Sequence, residues 1–332
     1  MSQTLQVQSI DGTLDDRLGR GHVGGHGARP YRVVVHGLRH FCQKLPCLLG
    51  NEKWNIRDRS RHTPAQLALL VGDLRNCDLV FTWAGRVDMG RFLWAARSLG
   101  ARKFVFFWCG SDVLRAQKLA AAGKMDSWIA QQIHWAASPA LTEEVRSMGL
   151  DCEFVQASFV DVVPEPRPLP REFSVLVFLP RSDLAELYGW DHIVEVAEAL
   201  PDVRFKLAGL HPGQFVHGPS NIRIQRWTPD LTSTYEESTV LWRPVRHDAG
   251  ISFMALEALS HGRHVLYTYP LPGTIQVRGA NEAKRHLERL REMHDSGSLQ
   301  LNRIGIEAVA RTYTRDVVRQ ELHRRWEEII CS

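Results

Sequence analysis

The residues with the clearest chemical potential lie in HDAGISFMALEALSHG, positions 247 to 262. Gly250, Ile251 and Ser252 open an apolar helix. Backbone N–H groups at a helix start, with the positive end of the helix dipole, form an anion site, and a glycine there lets a ligand approach closely. Arg243, Arg246 and Asp248 stand just before them. Glu257 interrupts the run, flanked by Met254, Ala255, Leu256, Ala258 and Leu259. A lone buried carboxylate is strongly unfavourable. Two readings follow: the side chain reaches solvent or an arginine, or it meets the hydroxyls of a ligand held about two turns back at the helix start.

Strands must position this segment. TVLWRP precedes it and HVLYTY follows it, so the loop leaves the carboxyl end of a strand, where ligands bind in open α/β sheets. Earlier, YRVVVHG, CDLVFTWAG and KFVFFWCGSD read as strands buried on both faces. DMGRFLWAARSLG and LTEEVRSMG read as helices between them. Prolines at 164, 166, 168 and 170 mark a stiff connector over residues 164–171. The alternation then restarts with FSVLVFLP, WDHIVEVAEALPD, RFKLAG, NIRIQRW and DLTSTYEES. The expected organisation is a disordered tail (1–30), a first Rossmann-like domain (31–163), the linker, a second domain (172–312) and a final helix (313–332) that crosses back to the first.

Composition narrows the function. The 332 residues suit two domains, and a formal net charge of +4 is too mild to imply nucleic acid. No apolar run is long enough to span a bilayer, and MSQTLQVQSIDG lacks the features of a secretion signal. Six cysteines without a repeated CxxC fit free thiols, so the expectation is cytoplasmic. HGLRHFCQKLPC groups His36, His40, Cys42 and Cys47 without a helical His pair, and we expect no metal there. No Asp-x-Asp pair occurs to hold a divalent ion on a diphosphate. Tyr31 to His62 carries seven Lys or Arg against Glu52 and Asp58, which suits a peripheral contact with an anionic inner membrane face.

GISFMALEALSHGRHVLYT resembles the donor-site signature of retaining glycosyltransferases of the GT-B fold, close to family 4. The usual form there is a Glu, seven residues, a second Glu, then Ala, a small residue and Gly before a strand. The resemblance runs over most of the chain from Tyr31 and implies an α/β GT-B fold, two Rossmann-like domains facing a cleft. It also implies transfer of a sugar, a hexose being expected, from a nucleoside diphosphate sugar to a glycan, lipid-linked or protein acceptor, as in polysaccharide biosynthesis. Retention of configuration and independence of metal or cofactor come with it.

By that resemblance Glu257 holds the ribose hydroxyls, and Gly250, Ile251, Ser252, Arg243 and Arg246 complete the donor site. The strict position of the first Glu is Ala249, and adjacent Asp248 is expected to replace it. In FLPRSDLAELYG, Arg181 supplies the first diphosphate cation, and Tyr188-Gly189 stands where Lys-Gly is usual. FWCGSDV is similar to an acceptor-facing His-Gly-Ser-Asp segment, with Cys109 in the histidine position. Trp108, Gly110, Ser111 and Asp112, with His36 and Gly37, are then expected on the acceptor side. The departures at Ala249, Tyr188 and Cys109 favour an alternative, a non-catalytic GT-B scaffold or chaperone subunit. A third possibility is a sugar-nucleotide epimerase on the same fold.

Overall fold

A computed structural model of the protein describes residues 29–37, 39–50, 53–59, 64–84, 87, 90–100, 103–225, 227–248 and 250–332. All of the expected tail but Arg29 and Pro30, and the Ala249 position, lie outside the described residues. Apolar runs too short for helices become parallel strands covered on both faces. The first sheet contains β1 (Tyr31–Gly37), β2 (Trp54–Asp58), β3 (Leu79–Trp83), β4 (Phe104–Trp108), β5 (Ile133–Ala136) and β6 (Cys152–Phe154), ordered β2-β1-β3-β4-β5-β6. The second contains β7 (Ser174–Phe178), β8 (Arg204–Ala208), β9 (Ile222–Ile224), β10 (Val240–Arg243), β11 (His264–Tyr267) and β12 (Ile275–Gln276), ordered β12-β11-β10-β7-β8-β9. Every described strand pair is parallel.

Strand order reverses between β1 and β3 in the first sheet and between β7 and β10 in the second. At such a reversal the outgoing loops diverge to opposite faces and leave a crevice. The second crevice is bounded by the loops after Phe178 and Arg243.

The connector runs against the second domain, and its carbonyls are used although its prolines donate nothing. Buried Arg263 donates to the carbonyls of Arg167 (2.6 Å) and Pro168 (3.2 Å), and His294 Nε2 lies 2.8 Å from that of Pro170. The helix Arg315–Cys331 packs on the first sheet's core. Its Trp326 meets Trp54 edge-on at 5.2 Å and Phe81 at 5.3 Å, and Arg319 Nε donates to the Leu48 carbonyl.

Candidate active site

β7 and β10 lie side by side and parallel, so residues 179–189 and 244–248 leave the sheet at the same carboxyl end. Arg243, the last residue of β10, is buried, and its Nη2 donates to both oxygens of Asp248 at 3.2 and 3.1 Å. Tyr267 at the end of β11 donates its hydroxyl to Asp248 Oδ2 at 2.6 Å. The guanidinium also lies over the rings of Phe178 and Tyr188, 5.9 and 5.6 Å from their centroids. Burial opposes the charge of Arg243, yet Asp248 and the two tyrosines outweigh it, and the guanidinium is held above its ordinary range. Burial first, and the Asp248 charge second, push the Tyr267 hydroxyl far up, so it stays a donor.

Asp248 therefore faces inward. The structure pairs it with Arg243 below the loop that enters the helix Phe253–Ser260, with its side chain 10% exposed, at the wall of a small cavity it shares with Gly250 and Ile251.

The loop itself is pressed against the first domain. Gly250 has φ +87°, and a Cβ there would stand 2.7 Å from the Ala137 Cβ, so two constraints require glycine. His247 Nε2 and Glu144 Oε2 meet at 3.0 Å, and Ser158 Oγ donates to the Ile251 carbonyl at 3.2 Å. Ser252 caps the helix Phe253–Ser260, its Oγ accepting from Ala255 N–H at 3.3 Å. The helix start stands at a strand end, as the sequence implied, but Gly250, Ile251 and Ser252 are buried there, and Gly250 and Ile251 line the small cavity, with Glu144, Asp248 and Tyr267, which is separate from the one beside Glu257.

The other two candidate cations are exposed and paired with carboxylates. Arg181 forks onto Asp183, with Nε to Oδ1 at 2.9 Å. Arg246 joins Glu186 at 3.1 Å and Asp191 at 2.6 Å. Tyr188 covers Arg243, and Gly189 in the left-handed conformation passes so close to Pro244 that a Cβ would stand 2.1 Å from its carbonyl oxygen.

Glu257 leaves the apolar side of its helix and lines a cavity of about 720 Å³ open to the space between the domains. Its Oε2 accepts the Tyr235 hydroxyl at 2.7 Å. Trp83 and Leu48 face the cavity from the first domain, and Thr232, Phe253 and His261 from the second. Neither Tyr235, Tyr267 nor Glu144 stands out in the sequence. Their partners are 22, 19 and 103 residues away, and only the fold joins them.

On the first domain, the structure turns several expected acceptor-side groups inward. His36 is buried, stacked 3.9 Å from Phe92, with Nδ1 2.6 Å from the Arg59 carbonyl. Trp108 is fully buried and donates to His134 Nδ1 at 3.2 Å. Burial lowers the His134 pKa to about 4, which keeps that acceptor neutral. Asp112 accepts from the Cys109 N–H at 3.2 Å and steadies the turn. Gly37 is fixed by the close approach of the Trp83 carbonyl, and Gly110, at φ +140°, bends the chain into the helix Ser111–Ala121. Of this group, Ser111 is exposed.

Two parallel sheets of this order, with their carboxyl-end loops meeting across a cleft, define the GT-B fold. Solved structures of that fold match across the chain. A glycosyltransferase from Rickettsia africae is 11% identical, over 91% of this chain and 99% of its own, at a TM-score of 0.64. HepE of Anabaena, solved with UDP and glucose, is 10% identical over 90% of this chain and 100% of its own, at 0.62. TarM is 13% identical over 80% of this chain at 0.58, and there the match spans only 58% of the larger protein. No family model and no curated protein matches the sequence.

Proposed function

We propose that the protein transfers a glycosyl group, a hexose in the first instance, from a nucleoside diphosphate sugar to a glycan, lipid-linked or protein acceptor. The observation that carries this reading is Glu257. It is a carboxylate held by Tyr235 on the wall of the cavity of about 720 Å³ between the domains, on the same helix that Gly250–Ser252 open. HepE was solved with UDP and glucose and TarM with UDP, which makes UDP the first nucleotide to test.

In the proposed reaction the ribose hydroxyls meet Glu257 and the diphosphate meets the amides of Gly250 to Ser252. Arg181 is the cation best able to follow the leaving phosphate. Its pair with Asp183 is more than half exposed and screened by solvent, so exchange onto a diphosphate is easy. Arg246 is similarly exposed, whereas Arg243 is committed to Asp248. Charge stabilisation of the departing phosphate is then the main catalytic requirement, and that phosphate takes the acceptor proton on the face it leaves, with retention and without metal. The acceptor approaches from the Gly110–Ser111 turn.

A scaffold that binds nucleotide without turnover is favoured by one observation, the engagement of Asp248 by Arg243 and Tyr267. Incubation with UDP-glucose, UDP-N-acetylglucosamine and GDP-mannose, followed by assay of released nucleoside diphosphate, separates the two readings. Slow hydrolysis supports the transferase, and tight binding without release supports the scaffold.

A further inference from the structure

The cavity beside Glu257 has a pronounced chemical character. Asp161, Asp230, Glu236 and Glu257 line it, against Arg315 as the lone Lys or Arg among the described lining residues, and Glu236 is paired with Arg167 at 3.1 Å. Arg315 is itself 3.4 Å from Asp161, and Asp230 is kept ionised by the N–H of Thr232. Among the charged side chains of this largely apolar wall, acceptors outnumber cations. It suits hydroxyl and N–H donors and repels phosphate, so a nucleotide enters with its ribose and base in the cavity and its phosphates toward Gly250.

Within this wall Tyr235 has a particular place. It belongs to the helix Thr232–Glu236, is 2% exposed, and spends its hydroxyl on Glu257 Oε2. Burial first, then the Glu257 charge, raise its pKa well above the ordinary tyrosine value, so the hydroxyl remains a donor at every working pH. Its ring lies nearly parallel to that of His261, centroids 5.5 Å apart, and His261 ends the helix that carries Glu257. Burial, then the Arg263 charge, lower the His261 pKa, so that ring is neutral and uncompetitive for the carboxylate at neutral pH. The ring stack steadies Tyr235, and Tyr235 holds the Glu257 carboxylate by Oε2.

We propose that Tyr235 is a positioning residue that orients the Glu257 carboxylate toward the vicinal hydroxyls of a ribose, and thereby sets the preference for ribonucleotides over 2′-deoxyribonucleotides. This rests on the donor reading above. A carboxylate recognises two adjacent hydroxyls together only when its plane is fixed, because a rotating group forms one hydrogen bond at a time and loses the reward for the second. Without the tyrosine hydroxyl, Glu257 still offers its charge but no longer the geometry.

The test is calorimetric titration of UDP, GDP and their 2′-deoxy forms into wild type, Tyr235→Phe, Glu257→Gln and the double variant, with thermal melting of each. Wild type is expected to prefer the ribonucleotide at least tenfold. Tyr235→Phe should lose about tenfold in affinity for the ribonucleotide and little for the deoxy form, so that the ratio falls toward one. Because Tyr235 acts through Glu257, Tyr235→Phe should have almost no further effect in the Glu257→Gln background. An unchanged ribose-to-deoxyribose ratio in Tyr235→Phe, or equal losses for both nucleotides, overturns the positioning role alone. If Tyr235→Phe does not fold, the Glu257→Gln ratio decides, since retained selectivity there removes the group through which Tyr235 acts. Wild type that binds none of the four nucleotides overturns the donor reading and this role together.

Discussion

Arg243 holds Asp248 at 3.1 Å beneath the loop that enters the helix Phe253–Ser260, with both side chains at most 10% exposed. Taking away one partner of such a pair leaves a buried charge uncompensated, which costs about 3–5 kcal/mol. Asp248→Asn should therefore lower stability by that order in urea denaturation. Asp183→Asn, which frees exposed Arg181, should leave the denaturation midpoint close to wild type. Wild-type stability in Asp248→Asn, with transfer lost, would assign the residue to the chemistry and away from the loop.

Gly250 satisfies a positive φ and a close approach to Ala137 at the same time. Gly250→Ala meets both obstacles, so nucleotide affinity should fall at least tenfold and stability by about 1–3 kcal/mol. Ala137→Gly in the same chain relieves the contact and not the backbone strain, so it should restore part of the loss. Titration of UDP into the single and double variants measures this. Full rescue would mean that only the contact matters.

Arg263 ties the proline connector to the second domain through two carbonyls. Arg263→Met keeps the volume and leaves both acceptors short of a donor, at about 1–3 kcal/mol each. Urea denaturation should show the loss, and Arg263→Lys, with a point charge in place of a fork, should recover less than half of it. Stability equal to wild type in Arg263→Met would show that the connector is held by other means.

His134 gives a pH dependence of known sign. Its folded pKa is about 4, below the ordinary value, because burial disfavours the imidazolium. As pH falls through about 6.5 the unfolded chain takes up a proton that the folded chain refuses, so stability decreases toward pH 4, by up to about 3 kcal/mol. His134→Gln should flatten this part of the profile. The check is urea denaturation between pH 7 and 4.5, and an unchanged slope in the variant would contradict it.

The legible parts of this molecule are those where composition is extreme. β1, β3, β4, β7, β10 and β11 are nearly unbroken apolar runs and announce themselves. β2 (WNIRD) alternates with charge at a sheet edge, β5 and β6 have four and three residues, and the helix Arg39–Leu49 contains Pro46. None of these carries a period long enough to recognise. In the site, Gly250 and Glu257 stand out because a glycine and a carboxylate are anomalous in their surroundings. Tyr235, Tyr267 and Glu144 are ordinary in theirs and gain meaning from contacts across the fold. Trp108 and His36 occupy motif positions at strand ends, yet the sheet is covered on both faces there, and the fold buries their rings.

The central claim is that Glu257 meets the ribose of a nucleotide, and calorimetric titration of UDP and GDP into wild type and Glu257→Ala tests it most directly. Hydrogen bonds to a charged acceptor contribute about 1.5–3 kcal/mol, so Glu257→Ala should weaken the preferred nucleotide by roughly ten to a hundredfold, with the chain still folded though melting somewhat lower because the buried Tyr235 hydroxyl loses its partner. Equal affinity in the two proteins would contradict the claim and return Glu257 to a helix carboxylate whose partner is Tyr235.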